Sequence, residues 1–470
     1  MYNPRMILEY LLSLLSFYLV VTVAAGVHVL LYKRDSRAAL GWLGLIFLFP
    51  IAGAVLYVLF GVNRVHRKAR RDTFKVEPEG FWHLDERTPV KEASIRNVGF
   101  SVTGSEPNPG NTVSSLYNGE QAFPPMLEAI GSAKSEVLLS TYIFDNDETG
   151  LRFIDALTEA QRRGAQISVL VDDVGIRYCF PTIIRQLKAH KLPFKRFMRL
   201  SLIPPSLSLN LRTHRKLLIV DRETAFAGGM NIGDRQLLDG KSSHRASDLH
   251  FRIEGPVIAS LVELFEEDWC YSGGQPLQKL PCSTTGEGPS GCRLISDGPD
   301  ETLDSLQLGI MGVISRASRR VWIMTPYFLP DRKMMACLQA ASLAGVDIRV
   351  MIPMENNWPL VQWALQHNMA ELLSTGVEIM QRPPPFAHSK CLLVDDDYTL
   401  VGSSNLDPRS LRLNFELGIE VFDRALNEEL STHFSTTQQD CIPFTNDGLN
   451  ERKTLSRLRD ATSALFAPYL

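Results

Sequence analysis

The chain has 470 residues, long enough for two or three domains with their own hydrophobic cores. Hydrophobic residues make up 45% and charged residues 21%, which excludes a disordered or low-complexity chain. The net charge of -3 lacks the clear basic excess of a dedicated nucleic-acid binder, so no nucleic-acid partner is expected.

The first 62 residues differ in kind from the rest. Tyr10 to Tyr32 carries no Lys, Arg, Asp or Glu, and about 23 helical residues reach roughly 34 Å, enough to cross a bilayer core. A second uncharged run, Ala38 to Val62, contains Pro50 and Gly53, which a membrane helix tolerates. The short connector Lys33-Arg34-Asp35-Ser36-Arg37 predicts a transmembrane helical hairpin over 1–63. Arg64, Arg67, Lys68, Arg70 and Arg71 outnumber the basic residues of the connector. The expectation is therefore a multi-pass protein with its long C-terminal part on the cytoplasmic side.

A Pro-, Gly- and Ser-containing linker is expected over 64–110. Beyond it the sequence repeats. Ile130 to Phe144 aligns without gaps on Ile314 to Phe328, and Arg163 to Val171 matches Ala344 to Ile352. Each stretch reads as a helix end, a turn and a buried strand. The alternation predicts an α/β fold: two related α/β halves with mixed sheets sharing one cleft. The boundaries expected are 111–275 for the first half, a joint over 276–300, and 301–470 for the second. A C-terminal run with Leu455, Leu458, Leu465 and Phe466 reads as a surface helix packed on its own domain, or as an interfacial one.

Each half carries one constellation at identical spacing. The first is His214, Lys216, Asp221, Gly228 and Asn231; the second is His388, Lys390, Asp395, Gly402 and Asn405. Two imidazoles and two ammonium groups suit phosphodiester chemistry. A neutral imidazole attacks phosphorus without charge repulsion and splits one difficult step into two. A protonated imidazole supplies hydrogen to the departing alkoxide. The lysines neutralise the nonbridging oxygens as charge builds. Asn231, Ser403 and Asn405, with the N–H groups of the Gly-rich turns, are candidate phosphate donors. In a regular strand Asp221 and Asp395 would face away from Lys216 and Lys390, so they read as turn anchors. Asp248 is the candidate carboxylate to orient His214, and Glu416 the candidate for His388. The spacing does not rank the two histidines.

The ten histidines form no HExxH or Cys/His zinc pattern, so neither a metal nor a cofactor is expected. The seven cysteines form no CxxC pair and read as thiols in a reducing compartment.

The paired constellation resembles the HxKxxxxDxxxxxxGSxN signature of the phospholipase D superfamily. The second copy fits fully; the first has Gly229 in place of Ser. More narrowly, the chain resembles the bacterial cardiolipin synthases over nearly its whole length. The stretches that carry this are Asn111 to Gly119, Thr325-Pro-Tyr-Phe328, Asn405 to Leu411 and Asn414-Phe-Glu416. The resemblance implies a bacterial inner-membrane phosphatidyltransferase that joins two phosphatidylglycerol molecules into cardiolipin and glycerol through a phospho-histidine, with His214 as nucleophile and His388 as acid and base. A phospholipase D hydrolase, a transphosphatidylase with another acceptor, and an inactive membrane-tethered scaffold remain as alternatives.

Overall fold

A computed structural model describes residues 4–33, 36–61, 94–199, 211–240, 242, 244–298 and 304–467. The chain forms two compact units, Met1–Val76 and Glu77–Leu470.

In the first unit, α1 (Pro4–Tyr32) is the one described helix long and apolar enough to cross a membrane. The second apolar run does not continue as one helix. α2 (Ser36–Leu48) ends at Phe49, and α3 (Pro50–Leu56) starts a new helix that closes in a π-helical turn, Tyr57–Gly61. Proline lacks an N–H and clashes with the preceding turn, so Pro50 breaks the run where a tolerated kink was expected. The side chains of Leu15, Leu19, Val20 and Leu30 stand exposed, as an apolar solvent would require.

The second unit contains two sheets of matching topology. The first has the spatial order Thr112–Tyr117, Leu249–Glu254, Thr224–Gly228, Leu217–Val220, Glu136–Thr141, Gln166–Asp172, Phe194–Phe197. The last three strands are parallel and the others antiparallel. In the second sheet the same seven-strand order runs from Gly288–Asp297 through Asn414–Phe422, Tyr398–Gly402, Cys391–Val394, Arg320–Met324 and Asp347–Pro353 to Glu378–Arg382. The sheets meet face to face. Leu138, Leu217 and Ile219 of the first share one core with Leu393, Val401 and Leu417 of the second. Their neighbours of opposite parity, Val137, Leu139, Leu218 and Val220, pack outward under helices. Both faces are covered, which is why these strands read as unbroken apolar runs.

Two expected boundaries are corrected. Residues 95–110 belong to the second half and are not linker. Helix Ile95–Thr103 places Val98 and Val102 on the second core, and Asn108–Gly110 pairs with Gly288–Asp297. Arg293, fully buried, ties this segment in by donating to the carbonyls of Arg96 and Ser105 and to Glu420. The joint is also shorter than 276–300, since strand Gly288–Asp297 already lies in the second sheet. Residues 64–93 of the expected linker lie outside the described residues. The C-terminal helix Thr454–Ala464 packs on Pro359–Leu373, with Arg459 over the Trp363 ring, while Leu455, Leu458, Leu465 and Phe466 stay exposed.

Candidate active site

Each His-x-Lys pair sits just ahead of a short buried strand, Leu217–Val220 or Cys391–Val394. At the other end of that strand the chain reverses in a tight turn that Asp221 and Asp395 enter with positive φ. Asp221 accepts from the N–H groups of Lys134, Ser135 and Glu136 and from Ser135 Oγ. Asp395 accepts likewise from Ser318, Arg319 and Arg320. Burial alone would raise both carboxyls, but these donors hold them below the ordinary carboxylate range. Each aspartate is roughly 16 Å from its lysine along the strand, at about 3.3 Å per residue. They join a hairpin turn to the start of a neighbouring strand and touch no reacting group.

The two histidine segments cross between halves. Arg212–Thr213 pairs in parallel with Asn414–Phe415, and the His214 N–H donates to the Phe415 carbonyl. Phe386–Ala387 pairs with Ala246–Ser247, and the His388 N–H donates to the Ser247 carbonyl. The orienting carboxylates are therefore exchanged relative to expectation. His214 Nδ1 lies 3.1 Å from Glu416 and 3.0 Å from the Ser403 carbonyl. His388 Nδ1 donates to Asp248 Oδ2 at 2.6 Å. With each Nδ1–H facing an oxygen, each neutral ring carries no proton on its Nε2, and the Lys390 Nζ lies 3.2 Å from that of His388.

The charges form one buried cluster. Burial lowers His388 to about 4, reinforced by Lys390 and opposed by Asp248. His214 is lowered too, by burial first, with Lys216 adding and Glu416 opposing. Burial brings Lys390 down to about 8 and holds Lys216 well below the ordinary lysine value. Lys390 also acts on His214, and Lys216 on His388, so the two motifs share one field. Burial would raise Asp248 and Glu416, but the histidines and lysines more than offset it and keep both ionised. Each lysine Nζ donates to the carbonyl of the histidine two residues before it.

The expected phosphate donors divide. Ser403 is fully buried and its hydroxyl donates to Glu416, so it braces the carboxylate and is not available to a phosphate. Asn405 donates to Ser410 Oγ. Asn231 Oδ1 accepts from the Ile143 N–H. Gly229 also finds its reason. A Cβ there would stand 2.5 Å from Asp248 Oδ1, so the shorter aspartate takes the space that a serine side chain fills in the other half.

Four neighbours escaped the sequence reading. Tyr142 stands edge-on to His214, ring centroids 5.2 Å apart, and Lys216 lies 5.5 Å over its ring. Asp172 and Arg212 form a buried pair beside it. Burial raises Asp407 to about 7, against a bond from the Ser410 N–H. Tyr142 directly follows one parallel strand and Asp172 ends the next, where open α/β sheets bind ligands, and that rule applied to Thr141-Tyr142 would have found the first. Among the described residues, no group of three or more His, Cys, Asp or Glu side chains is placed to hold a metal ion.

Two related sheets packed face to face define a phospholipase D-like fold, and the buried cluster to which each half contributes a His and a Lys is its candidate site. Residues 126–269 and 310–437 match the family described as cardiolipin synthase, PLD-like domain, and residues 20–61 match the phospholipase D-nuclease N-terminal family. The chain is 30% identical to the major cardiolipin synthase ClsA of Bacillus subtilis (strain 168), over 97% of this chain and 99% of that one. It is 31% identical to cardiolipin synthase A of Pseudomonas aeruginosa (strain LESB58), over 96% and 94%. Among solved structures it is similar in fold to the phosphatidylserine synthase of Haemophilus influenzae Rd KW20. The TM-score is 0.60 at 15% identity, over 76% of this chain and 95% of that one. The chain belongs to the cardiolipin synthase family of PLD-like proteins and is a phosphatidyltransferase.

Proposed function

We propose that this protein joins two phosphatidylglycerol molecules into cardiolipin and glycerol, through a phospho-histidine and without a metal ion. The observation that carries the reading is the crossed pairing. His214 lies against Glu416 and Ser403 of the second half, and His388 against Asp248 of the first.

His214 Nε2 attacks phosphorus of the first lipid. A P–N bond forms, the P–O bond to glycerol breaks, and the glycerol oxygen takes a proton from His388. The hydroxyl of a second phosphatidylglycerol then gives its proton to His388 and attacks phosphorus, and the P–N bond breaks. His388 suits the proton-carrying role because its carboxylate is closer, 2.6 Å against 3.1 Å, and an adjacent anion stabilises the imidazolium. Both rings are neutral in the empty site; the incoming phosphate anion favours protonation of one of them. Lys216 and Lys390 offset the charge on the nonbridging oxygens. The apolar α1 and the lipid substrate support a seat at a bacterial membrane, and the basic residues that follow the second apolar run favour the cytoplasmic side for the catalytic unit.

The test uses purified protein with phosphatidylglycerol alone, in detergent micelles with a strong chelator. Cardiolipin and glycerol in equal amounts are expected, with a lipid adduct trapped on His214 at early times. Phosphatidic acid as the sole product would replace this reading with a hydrolase. Activity lost to the chelator and restored by added metal would refute the metal-free route.

A further inference from the structure

The second apolar run folds back on itself. A Cβ on Gly53 would stand 2.5 Å from the Leu45 carbonyl oxygen and 2.8 Å from Ile46 Cα, so α2 and α3 meet backbone to backbone just beyond the Phe49–Pro50 turn. Farther from the turn, the Tyr57 ring meets Trp42 edge-on at 5.4 Å, and a Cβ on Gly61 would stand 3.2 Å from the Trp42 ring. These pairings make α2 and α3 antiparallel. α1 and α2 are antiparallel as well, since a Cβ on Gly26 would lie 3.5 Å from Leu43 Cδ2. Hence α3 runs parallel to the C-terminal half of α1, and the Tyr57 hydroxyl meets His28 Nδ1 at 2.9 Å. Four residues past His28, α1 ends at Tyr32; four past Tyr57, the π turn ends at Gly61. The two ends are level.

Length decides what this segment does in a bilayer. The apolar part of α1 has 24 residues, which is about 36 Å against a hydrocarbon core of about 30 Å. α2 has 13 residues, about 20 Å, and α3 with its π turn adds seven and five, about 18 Å. Neither arm crosses. We infer that residues 36–61 form a re-entrant helical pair, which enters and leaves the bilayer on the face where α1 ends, so that the chain crosses the membrane once. At the tip, the Phe49 N–H donates to the Leu45 carbonyl, the Gly53 N–H donates to the Phe49 carbonyl, and Pro50 has no N–H to satisfy. Irregular backbone at membrane depth demands this economy of open polar groups.

The charge pattern fits this fold. In a two-span hairpin, Lys33, Arg34 and Arg37 would lie on the face opposite Arg64, Arg67, Lys68, Arg70 and Arg71, and the two sets would compete for the cytoplasm. With a re-entrant pair all eight share one face, and Arg5 lies toward the other. The positive-inside rule then acts in one direction and sets the catalytic unit in the cytoplasm.

The inference rests on α1 crossing a bilayer, and not on which lipid the enzyme makes. In an active cysteine-free background, Asn3→Cys, Ser36→Cys and Asn63→Cys are each exposed to a membrane-impermeant maleimide in intact spheroplasts and again after lysis. Ser36→Cys and Asn63→Cys should react only after lysis, and Asn3→Cys before it. Ser36→Cys reacting from outside while Asn63→Cys is protected would restore a two-span hairpin and overturn the inference, as would protection of all three. If the cysteine-free chain does not fold, a reporter inserted after residue 35 gives the same readout: green fluorescence without phosphatase activity supports the re-entrant pair, and the reverse overturns it. Release of the protein by alkaline carbonate would overturn the crossing itself. The lipid product of the purified enzyme is indifferent to all of these results.

Discussion

The crossed carboxylates give a prediction that separates the tertiary structure from the linear motif. Asp248→Asn keeps shape and removes charge at a fully buried side chain whose Oδ2 stands 2.6 Å from His388 Nδ1. A hydrogen bond to a charged group is worth about 1.5–3 kcal/mol. A double-mutant cycle of Asp248→Asn with His388→Gln should therefore give a coupling energy of about 2 kcal/mol. The cycle of Asp248→Asn with His214→Gln should give a clearly smaller coupling, because only the shared field of Lys216 and Lys390 links that pair. Glu416→Gln should show the mirror pattern, coupling to His214 at 3.1 Å more strongly than to His388. The assay is urea unfolding of the detergent-solubilised protein at pH 7, followed by tryptophan fluorescence. Stability is the right readout, because every variant touching a catalytic imidazole loses turnover and turnover cannot then apportion the pairs. Coupling of Asp248 to His214, with none to His388, would show that the halves do not exchange carboxylates and would sink the proposed site.

Three other outcomes are expected. Gly229→Ser should cut transfer at least tenfold in protein that remains folded by circular dichroism, because its Cβ displaces the Asp248 carboxylate from His388; full activity would mean that the carboxylate has room to move. Asp221→Ala should cost about 2 kcal/mol in urea unfolding, from three N–H donors and one hydroxyl left without their acceptor, while turnover per folded molecule stays within about twofold; a hundredfold loss of turnover at unchanged stability would make it a chemical participant. With free-enzyme Lys390 at about 8, kcat/KM should fall as pH rises through that value and the ammonium charge is lost. Lys390→Arg should abolish this alkaline limb even if the maximal rate drops, and persistence of the limb would assign it to another group.

Much of the site was legible in the sequence because its signals are local. His214-x-Lys216 and His388-x-Lys390 repeat at fixed distance from Asp221 and Asp395, since each set spans one short strand and its turn, and the length of that strand is fixed by sheet geometry. The duplication was equally visible, because matching strands need matching apolar runs and matching Gly stops. Each carboxylate candidate meets an imidazole, but that of the other half. Asp248 and Glu416 each follow their own half's motif in the chain, and nothing local reveals that residues 212–213 and 386–387 cross to pair with the other half. Ser403 looked like a phosphate donor because its type and place permit that role; its bond to Glu416 is a contact thirteen residues away across two strands.

The N-terminal segment divides in the same way. Composition alone determined that residues 10–32 and 38–62 are apolar and that α1 can span, because transfer into hydrocarbon depends on residue type and length. Whether Pro50 bends a helix or ends it was decided by what lies alongside, here Gly53 against the Leu45 backbone and Tyr57 between His28 and Trp42. Residues 95–110 carry no motif and read as linker, yet Arg293 and the second core claim them. The sequence by itself determined the residue types, the repeat and the chemistry available, which depend on side-chain identity and short spacing. The tertiary structure alone decided which carboxylate meets which imidazole and where the chain turns back, because those contacts join segments far apart along the chain through packing that no local pattern encodes.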